Sequence, residues 1–424
     1  MPESIIDALD QRGLIAQATD RAALKDHFAA GPVTYYCGFD PSAPSLHIGN
    51  LVQILALRRL QEAGNHPLAL VGGATGLIGD PKMTGERTLN DPAVVAGWVE
   101  RIRAQIAPLL DFEGKYAARM VNNLDWTEPL GAIDLLREVG KHFRLSTMLA
   151  KETVARRLAS EQGISFTEFS YQVLQGMDFL ELRRRYGCSL QTGGNDQWGN
   201  LLAGVELIRK ADGAAAHAFT TPLITKADGA KFGKTETGAV WLDPAMTTPY
   251  AFYQFWLNQD DQDAPRYLEV FTFRRPDELA ALAQSTRQRP QERAAQKALA
   301  WDVTALVHGE PAARAARDAA AALFGGAALE QVDPATLAAA VAELPKAQLS
   351  RAGGDWSVVG ALAASGIEKS RGAARRTLAS GGVYLNNAKV GDPERALHPA
   401  DFLGGRFALL RRGRKTLAVA ELLP

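Results

Sequence analysis

From Ser45 to Asn50 the chain reads Ser-Leu-His-Ile-Gly-Asn, just ahead of a long apolar run. A histidine at the start of a helix stands where backbone N–H groups and the helix dipole already favour an anion. His47 and Asn50 are three residues apart and face the same way, so both can donate to a phosphate. Gly49 has no side chain, so a flat ring such as adenine can lie against the backbone there. The same residues also suit a helix-capping loop with an incidental histidine, and these few positions alone leave both readings open. Further along, Lys231-Phe232-Gly233-Lys234-Thr235 puts two lysines and a hydroxyl on a glycine-containing loop. That set suits a polyphosphate whose charge shifts during reaction, on a loop that closes and reopens. A solvated turn is the plainer reading. Finally, Tyr171, Gln175 and Asp178 stand at i, i+4 and i+7 in a helical segment, Thr167 to Phe179, and share one face. Phe169, Leu174, Phe179 and Leu180 suggest burial nearly all round, and a buried polar stripe needs a partner. A phenol hydroxyl and an α-amino group would supply one.

Such groups must be positioned by a rigid frame. Val33 to Phe39 is rich in β-branched and aromatic residues and reads as a strand. Leu51 to Ala63 reads as a helix closed by Gly64. Leu68 to Val71 is the next strand and runs into the turn Gly72-Gly73-Ala74-Thr75-Gly76; Arg119 to Asn122 and Cys188 to Gln191 are further strands. Strand–helix alternation of this kind predicts a parallel, doubly wound sheet, with ligands beyond the carboxyl ends of its strands. From about Pro249 to Phe324 the pattern turns helical. Residues 311–345 are Ala-rich with few large apolar groups, fitting helix or a loose connector, and the run Arg351 to Asp355 suggests a linker. No internal repeat is present.

The 424 residues suit two or three domains, and their composition, 46% apolar and 22% charged, is that of a globular protein. Net charge is zero, which excludes a wholesale polyanion binder. The charge is uneven, however: residues 350–424 hold twelve Lys/Arg against six Asp/Glu. One part therefore suits a small substrate and another a polyanion. Two cysteines, Cys37 and Cys188, cannot build a disulfide framework or a zinc cluster, which predicts a reducing, cytoplasmic setting. The first residues lack the pattern of a signal peptide, and no apolar run approaches the roughly 20 residues of a membrane span.

In this order on an α/β frame, the His47 and Lys231 runs resemble the paired signatures of the class I aminoacyl-tRNA synthetases. Tyr36 to Pro41, Gly72 to Pro81, the Tyr171 helix, Gln191 to Asn200 and Lys231 to Thr235 narrow the likeness. Over nearly the whole chain it is to bacterial tyrosyl-tRNA synthetases. Two positions depart from that family: Asn50 stands where histidine is usual, and Phe232-Gly233 where Met-Ser is common. The resemblance implies a Rossmann-like catalytic domain (1–235), a helical anticodon-arm-binding domain (236–325), a linker (326–352) and an S4-like α+β RNA-binding domain (353–424). It implies that Tyr36 and Asp178 hold the tyrosine phenol, that Asp80, Tyr171 and Gln175 hold the α-ammonium, and that Gln197 serves the carboxylate side. Cys37, Gly38, Asp40, Gly49, Gly194 and Asp196 would line the adenosine pocket. His47, Asn50, Lys231, Lys234 and Thr235 would act on the ATP phosphates, together with Arg87 in a mobile loop. That loop, Pro81 to Arg87, is one residue shorter than in the best-known members, and Lys82 is given no role.

A site that hydrogen-bonds a phenol rejects phenylalanine because its own polar groups would be stranded, and tyrosyl-tRNA synthetases are themselves the standard illustration of that rule. In the tail, Glu368 to Leu378 reads as a basic helix and Gly381 to Val390 as a turn and hairpin. Lys369, Arg371, Arg375 and Arg376 would contact tRNA phosphates more than bases; a solvated charged helix is the plainer reading. The resemblance further implies a homodimer, with Mg2+ accompanying ATP and no tightly bound cofactor. Two alternatives remain on the sequence: the tryptophan-specific sister enzyme, which Tyr36 with Asp178 argues against, and a catalytically silent RNA-binding paralogue.

Overall fold

The computed structural model describes residues 4–83, 85–227, 229, 232–235, 238–324, 328–342, 344–350, 353, 355–413 and 416–423, with Lys234 and Thr235 described by backbone alone. It divides into two compact units, Met1–Met246 with Gln262–Gln288, and Thr247–Asp261 with Arg289–Pro424.

The first unit is built on a six-stranded sheet. Its strands are β1 (Gln17–Ala18), β2 (Thr34–Phe39), β3 (His66–Val71), β4 (Arg119–Asn122), β5 (Leu190–Gly194) and β6 (His217–Thr221), in the order β1-β6-β5-β2-β3-β4. All pairs are parallel except the short edge strand β1 on β6. From β2 the chain winds one way through β3 and β4, then returns to the other side as β5 and β6. The order therefore reverses between β2 and β5, which leaves a crevice at their carboxyl ends. Helix α1 (Ile48–Glu62) buries Leu51, Val52, Ile54, Leu55, Ala56, Leu57 and Leu60, as its apolar circumference predicts, and Gly64 follows it at φ +88. Helix α2 (Pro92–Ile106) covers the same unit with Val95, Val99, Ile102 and Ile106. Helix α3 (Phe166–Tyr186) starts at Ser165, whose hydroxyl accepts from the Glu168 amide, and ends at left-handed Gly187. Helix α4 (Trp198–Asp212) packs along it.

The second unit joins helices to a second sheet. Helices α5 (Pro249–Leu257), α6 (Ala294–His308) and α7 (Glu310–Leu323) pack together, and α8 (Pro334–Val341) lies against α5 and α7. The sheet comprises β7 (Lys346–Leu349), β8 (Val383–Leu385), β9 (Ala388–Val390), β10 (Phe407–Arg412) and β11 (Thr416–Leu422), in the order β9-β8-β10-β11-β7. Helices α9 (Val358–Ala364) and α10 (Arg371–Ala379) bury Val358, Leu362, Ala374 and Leu378 in the core that the sheet shares. The β8–β9 turn uses Asn386 and Asn387 at positive φ, as a tight hairpin requires.

The expected boundaries change at two places. The segment expected as a linker, 326–352, holds α8 and β7, and β7 pairs in parallel with β11. The expected helical domain is also divided: α5, α6 and α7 belong to the second unit, whereas Ala264–Phe271 and Pro276–Gln288 belong to the first. The reason is packing. Helix α7 buries Ala313, Ala316, Ala319 and Ala322, so small side chains form a close helix contact where few large ones left helix or a loose connector open. No helix among the described residues is long and apolar enough to cross a membrane.

Candidate active site

At the carboxyl end of β2, Asp40 accepts hydrogen bonds from the Thr75 hydroxyl at 2.6 Å and the Tyr171 hydroxyl at 2.6 Å. Gly72 lines this turn without a side chain; a Cβ there would stand 2.1 Å from Asp40 Oδ1. Asn123, wholly buried just past β4, donates from Nδ2 to Thr75 Oγ1 at 2.9 Å and to Asp178 Oδ2 at 3.0 Å. Its Oδ1 accepts from the Ala74 amide at 2.7 Å. Trp126 Nε1 donates to the other Asp178 oxygen at 2.9 Å. One buried network thus runs from Trp126 through Asp178, Asn123, Thr75 and Asp40 to Tyr171, joining four separate stretches of chain.

Burial pushes the Asp178 carboxyl up to about 7, against the pull of its two donors. Burial also raises Asp40, offset by Thr75 and Tyr171. Tyr36 is 2% exposed, with its ring 5.3 Å from that of Phe179. Its hydroxyl is held well above the usual phenol range, by burial first and the Asp178 charge next. That hydroxyl is buried and has no hydrogen-bond partner among the described residues; the buried Oε1 atoms of Gln175 and Gln191 are in the same state. Buried polar atoms without a partner are costly, and here two lie on residues of the predicted substrate stripe and strand.

A second cluster surrounds Asp80. Its Oδ2 accepts from Gln197 at 3.0 Å, and its Oδ1 accepts from Asn200 at 3.2 Å and pairs with Lys151 at 3.4 Å. Gln197 also donates to exposed Asp196 at 3.2 Å. Arg87 Nε donates to the Asp80 carbonyl at 2.9 Å. Cys37 is buried beside Thr192, and burial lifts its thiol to about 12, so it behaves as a small core group. Gly38 is exposed on β2, and a Cβ on Gly194 would stand 2.6 Å from Asp196 Oδ1.

The two motif runs meet. His47 is exposed at the start of α1, where its Nδ1 accepts from the Gly49 amide at 3.0 Å. Asn50 Oδ1 accepts from the His47 amide at 3.1 Å. The capping geometry is therefore real, and it also orients the ring: with Nδ1 accepting, the proton of neutral His47 sits on Nε2. A Cβ at Gly49 would lie 2.7 Å from this ring, so the glycine makes room for the histidine itself. The Val240–Leu242 stretch runs beside Leu46–Ile48, with Ile48 donating to the Val240 carbonyl and Leu242 to that of Leu46. Val240 in turn donates to the Gly233 carbonyl at 3.0 Å. Gly233, at φ +79, approaches Ile48 so closely that a Cβ would meet Cγ1 at 2.9 Å. The Phe232 ring lies tilted against those of Tyr267 and Phe271, with centroids 4.6 Å and 5.6 Å away. Lys231 and the side chains of Lys234 and Thr235 lie outside the described residues.

In the second unit Lys369, Arg371, Arg375 and Arg376 are exposed, opposite buried Ala374 and Leu378. Arg371 pairs with Asp355 at 2.5 Å and Arg375 with Glu394 at 3.6 Å. No group of three His, Cys, Asp or Glu among the described residues could hold a metal ion. The sequence reading missed Thr75, Asn123, Trp126, Lys151 and Asn200. Thr75 sits inside the glycine turn and Asn123 follows directly on β4, so strand ends were the available signal.

The family model described as tRNA synthetases class I (W and Y) matches residues 29–325, and that of the tyrosine–tRNA ligase SYY-like C-terminal domain matches 336–420. A tyrosine–tRNA ligase of Streptomyces avermitilis is 60% identical over 419 residues, which is 99% of either chain. A C-terminally truncated mitochondrial tyrosyl-tRNA synthetase of Coccidioides posadasii superposes with a TM-score of 0.66 at 32% identity, over 74% of this chain and 91% of that one. Its counterpart from Aspergillus nidulans gives 0.67 at 30% identity, over 74% and 92%.

Proposed function

The chain belongs to the tyrosine–tRNA ligases of the class I tRNA synthetases, and from that membership we propose how its own residues activate tyrosine with ATP and pass it to tRNA. The observation that carries the assignment is the buried, unpartnered hydroxyl of Tyr36, which feels the charge of Asp178, together with the unpartnered Oε1 of Gln175. A tyrosine phenol accepts from Tyr36 and donates to Asp178. The α-ammonium of the same substrate donates to Gln175 and to Asp80, with Tyr171 beside them through Asp40. Gln197 serves the carboxylate.

The substrate carboxylate attacks the α-phosphorus of ATP in line. A carboxyl–phosphorus bond forms, the bond to the bridging oxygen breaks, and its electron pair leaves with pyrophosphate. Positioning and charge stabilisation do the catalysis, without a covalent enzyme intermediate. His47 donates from Nε2 to the phosphates, with Asn50, Arg87, Lys231, Lys234 and Thr235. Cys37, Gly38, Asp40, Gly49, Gly194 and Asp196 border the adenosine, with Cys37 contributing wall rather than a polar contact. Magnesium arrives on the triphosphate and shares its charge. The terminal ribose hydroxyl of tRNA then attacks the acyl carbonyl, and AMP leaves. Lys369, Arg371, Arg375 and Arg376 hold tRNA phosphates, and the ion pairs of Arg371 and Arg375 are exchanged for them.

A homodimer in the cytoplasm completes the reading. It is supported by exposed Ile133, Leu136, Leu145, Leu149, Leu158 and Phe166, all from one stretch of the first unit. Both cysteines are free and buried. The test is ATP–pyrophosphate exchange with a panel of amino acids. Exchange is expected with tyrosine, and Tyr36→Phe and Gln175→Ala should each weaken it; exchange with tryptophan alone, or no effect of either variant, would sink the assignment.

A further inference from the structure

Arg157 is a charged side chain with almost no access to water. Its side chain is 2% exposed and that of its partner Glu168 1%, and they meet at 2.8 Å. Around this pair Nε and Nη1 of the guanidinium are aimed at backbone. Nε donates to the Gly163 carbonyl at 2.9 Å, and Nη1 to the carbonyls of Gly85 at 2.6 Å and Lys82 at 3.3 Å. The second Glu168 oxygen accepts from the Arg87 amide at 2.7 Å. The loop is thus gripped at three backbone points, the carbonyls of Lys82 and Gly85 and the amide of Arg87, while Lys82 and Glu86 are exposed.

A buried ion pair is a poor way to gain stability, because desolvating two charges offsets their attraction. Its geometry here suggests what it does instead. Glu168, Tyr171, Gln175 and Asp178 lie at i, i+3, i+7 and i+10 along α3, and so form one stripe. The helix that carries Tyr171, Gln175 and Asp178, assigned above to the substrate, therefore also carries, one turn earlier, the carboxylate that fixes Arg87. Arg87 closes the circuit by donating to the carbonyl of Asp80.

We propose that Arg157 and Glu168 are positioning residues for adenylate formation: they clamp the 82–87 loop to the tyrosine helix, so that Arg87 is set at a fixed height over a bound tyrosine. This rests on the reading that the loop serves the ATP phosphates. The clamp makes the phosphate side of the site register on the amino-acid side before ATP arrives. A planar fork is needed for it; a lysine ammonium at 157 could pair with Glu168 or reach a carbonyl, but cannot span three carbonyls and a carboxylate.

The test uses the full-length protein with Arg157→Lys, Glu168→Gln, Arg87→Ala and the double variant Arg157→Lys/Arg87→Ala. Single-turnover adenylate formation and equilibrium tyrosine binding are measured for each. Arg157→Lys and Glu168→Gln are expected to slow adenylate formation about 10- to 100-fold and to raise the ATP requirement. The tyrosine dissociation constant should move less than about twofold. In the double variant the losses should not multiply, since Arg157 acts through the loop. Equal losses in tyrosine binding and adenylate formation, or losses that multiply, overturn the clamp. Normal kinetics of Arg157→Lys beside an impaired Arg87→Ala also overturn it. If Arg87→Ala is itself unimpaired, the phosphate role of the loop fails and the clamp for catalysis fails with it. Should the clamp variants not fold, hydrogen exchange on the unaltered protein decides. Protection of the Arg87 amide without ligand supports the clamp, and exchange at an open-chain rate overturns it.

Discussion

In the proposed reading Asp178 receives the substrate phenol, and its surroundings pull in two directions. Burial drives its carboxyl up to about 7, while Asn123 and Trp126 donate to its two oxygens. A carboxylate accepts from a phenol, whereas the neutral acid must spend one oxygen as a donor. Tyrosine should therefore bind more tightly as pH rises through about 7, so its KM in pyrophosphate exchange should fall between about pH 6 and pH 8. Asp178→Asn should remove that step and shrink the preference for tyrosine over phenylalanine; a KM that is level across the window in the unaltered enzyme would refute this role. Stability runs the other way. The folded chain holds this proton above the ordinary aspartate range, so folding takes up a proton, and the contribution of Asp178 falls as pH rises from that range to about 7. Asn123 has no role of its own in the sequence reading, yet it satisfies Ala74, Thr75 and Asp178 at once. Asn123→Ala should cost about 1–3 kcal/mol, seen as a lower urea midpoint with unchanged slope. Residues recognised by helical spacing or by motif were legible. Those that only hold them, Thr75, Asn123, Trp126, Arg157 and Glu168, were not, because their partners lie far away in sequence and one chain records no pairing.

At the scale of elements, the lysine loop shows how a motif is held by residues outside it. Val240–Leu242 ties its far end to the His47 turn, and Phe232 seats its near end on Tyr267 and Phe271. Tyr267 also donates to the Thr225 carbonyl at 3.1 Å, and Asp263 accepts from the Ala227 amide at 3.2 Å. Phe232 stands where the family commonly has Met, and the rigid ring makes two aromatic contacts worth about 0.5–1.5 kcal/mol each. Phe232→Ala should slow adenylate formation roughly five- to thirtyfold and leave tyrosine affinity in place, read by single-turnover kinetics beside equilibrium binding. Equal loss in both would mean that the ring supports the pocket as a whole. The helix and strand periods that define α1, α3 and the parallel sheet were plain in the sequence, as was the Asn386-Asn387 hairpin. Helices α7 and α8 were left as helix or loose connector, since a face built from alanine has little contrast with its surroundings, although α7 repeats alanine every third residue.

For the molecule as a whole, the basic C-terminal portion is not a bead on a string. Strand β7 joins its sheet through β11, and Leu323, Leu329, Leu337 and Val341 share one core with Phe407, Leu409, Leu417 and Val419. A cut at 350 therefore passes between the two halves of a single core and strands β7 without its neighbour. The buried network around Asp178, which the proposed function assigns to tyrosine, lies entirely in the first unit, so the 1–349 fragment should keep adenylate formation within about threefold while tRNA charging collapses. The exposed half-core should make that fragment bind more hydrophobic dye than the full chain and associate beyond a dimer. Loss of charging in the fragment thus has two causes, lost phosphate contacts and a damaged helical layer. The quadruple change Lys369→Ala, Arg371→Ala, Arg375→Ala and Arg376→Ala separates them, because these side chains lie on the exposed face of α10 and its approach, clear of the core. It should weaken tRNA binding, flatten its salt dependence and leave dye binding unchanged. If the quadruple variant charges tRNA normally while the fragment fails, the basic helix face is only a solvated surface, and the intact core is what the second unit contributes.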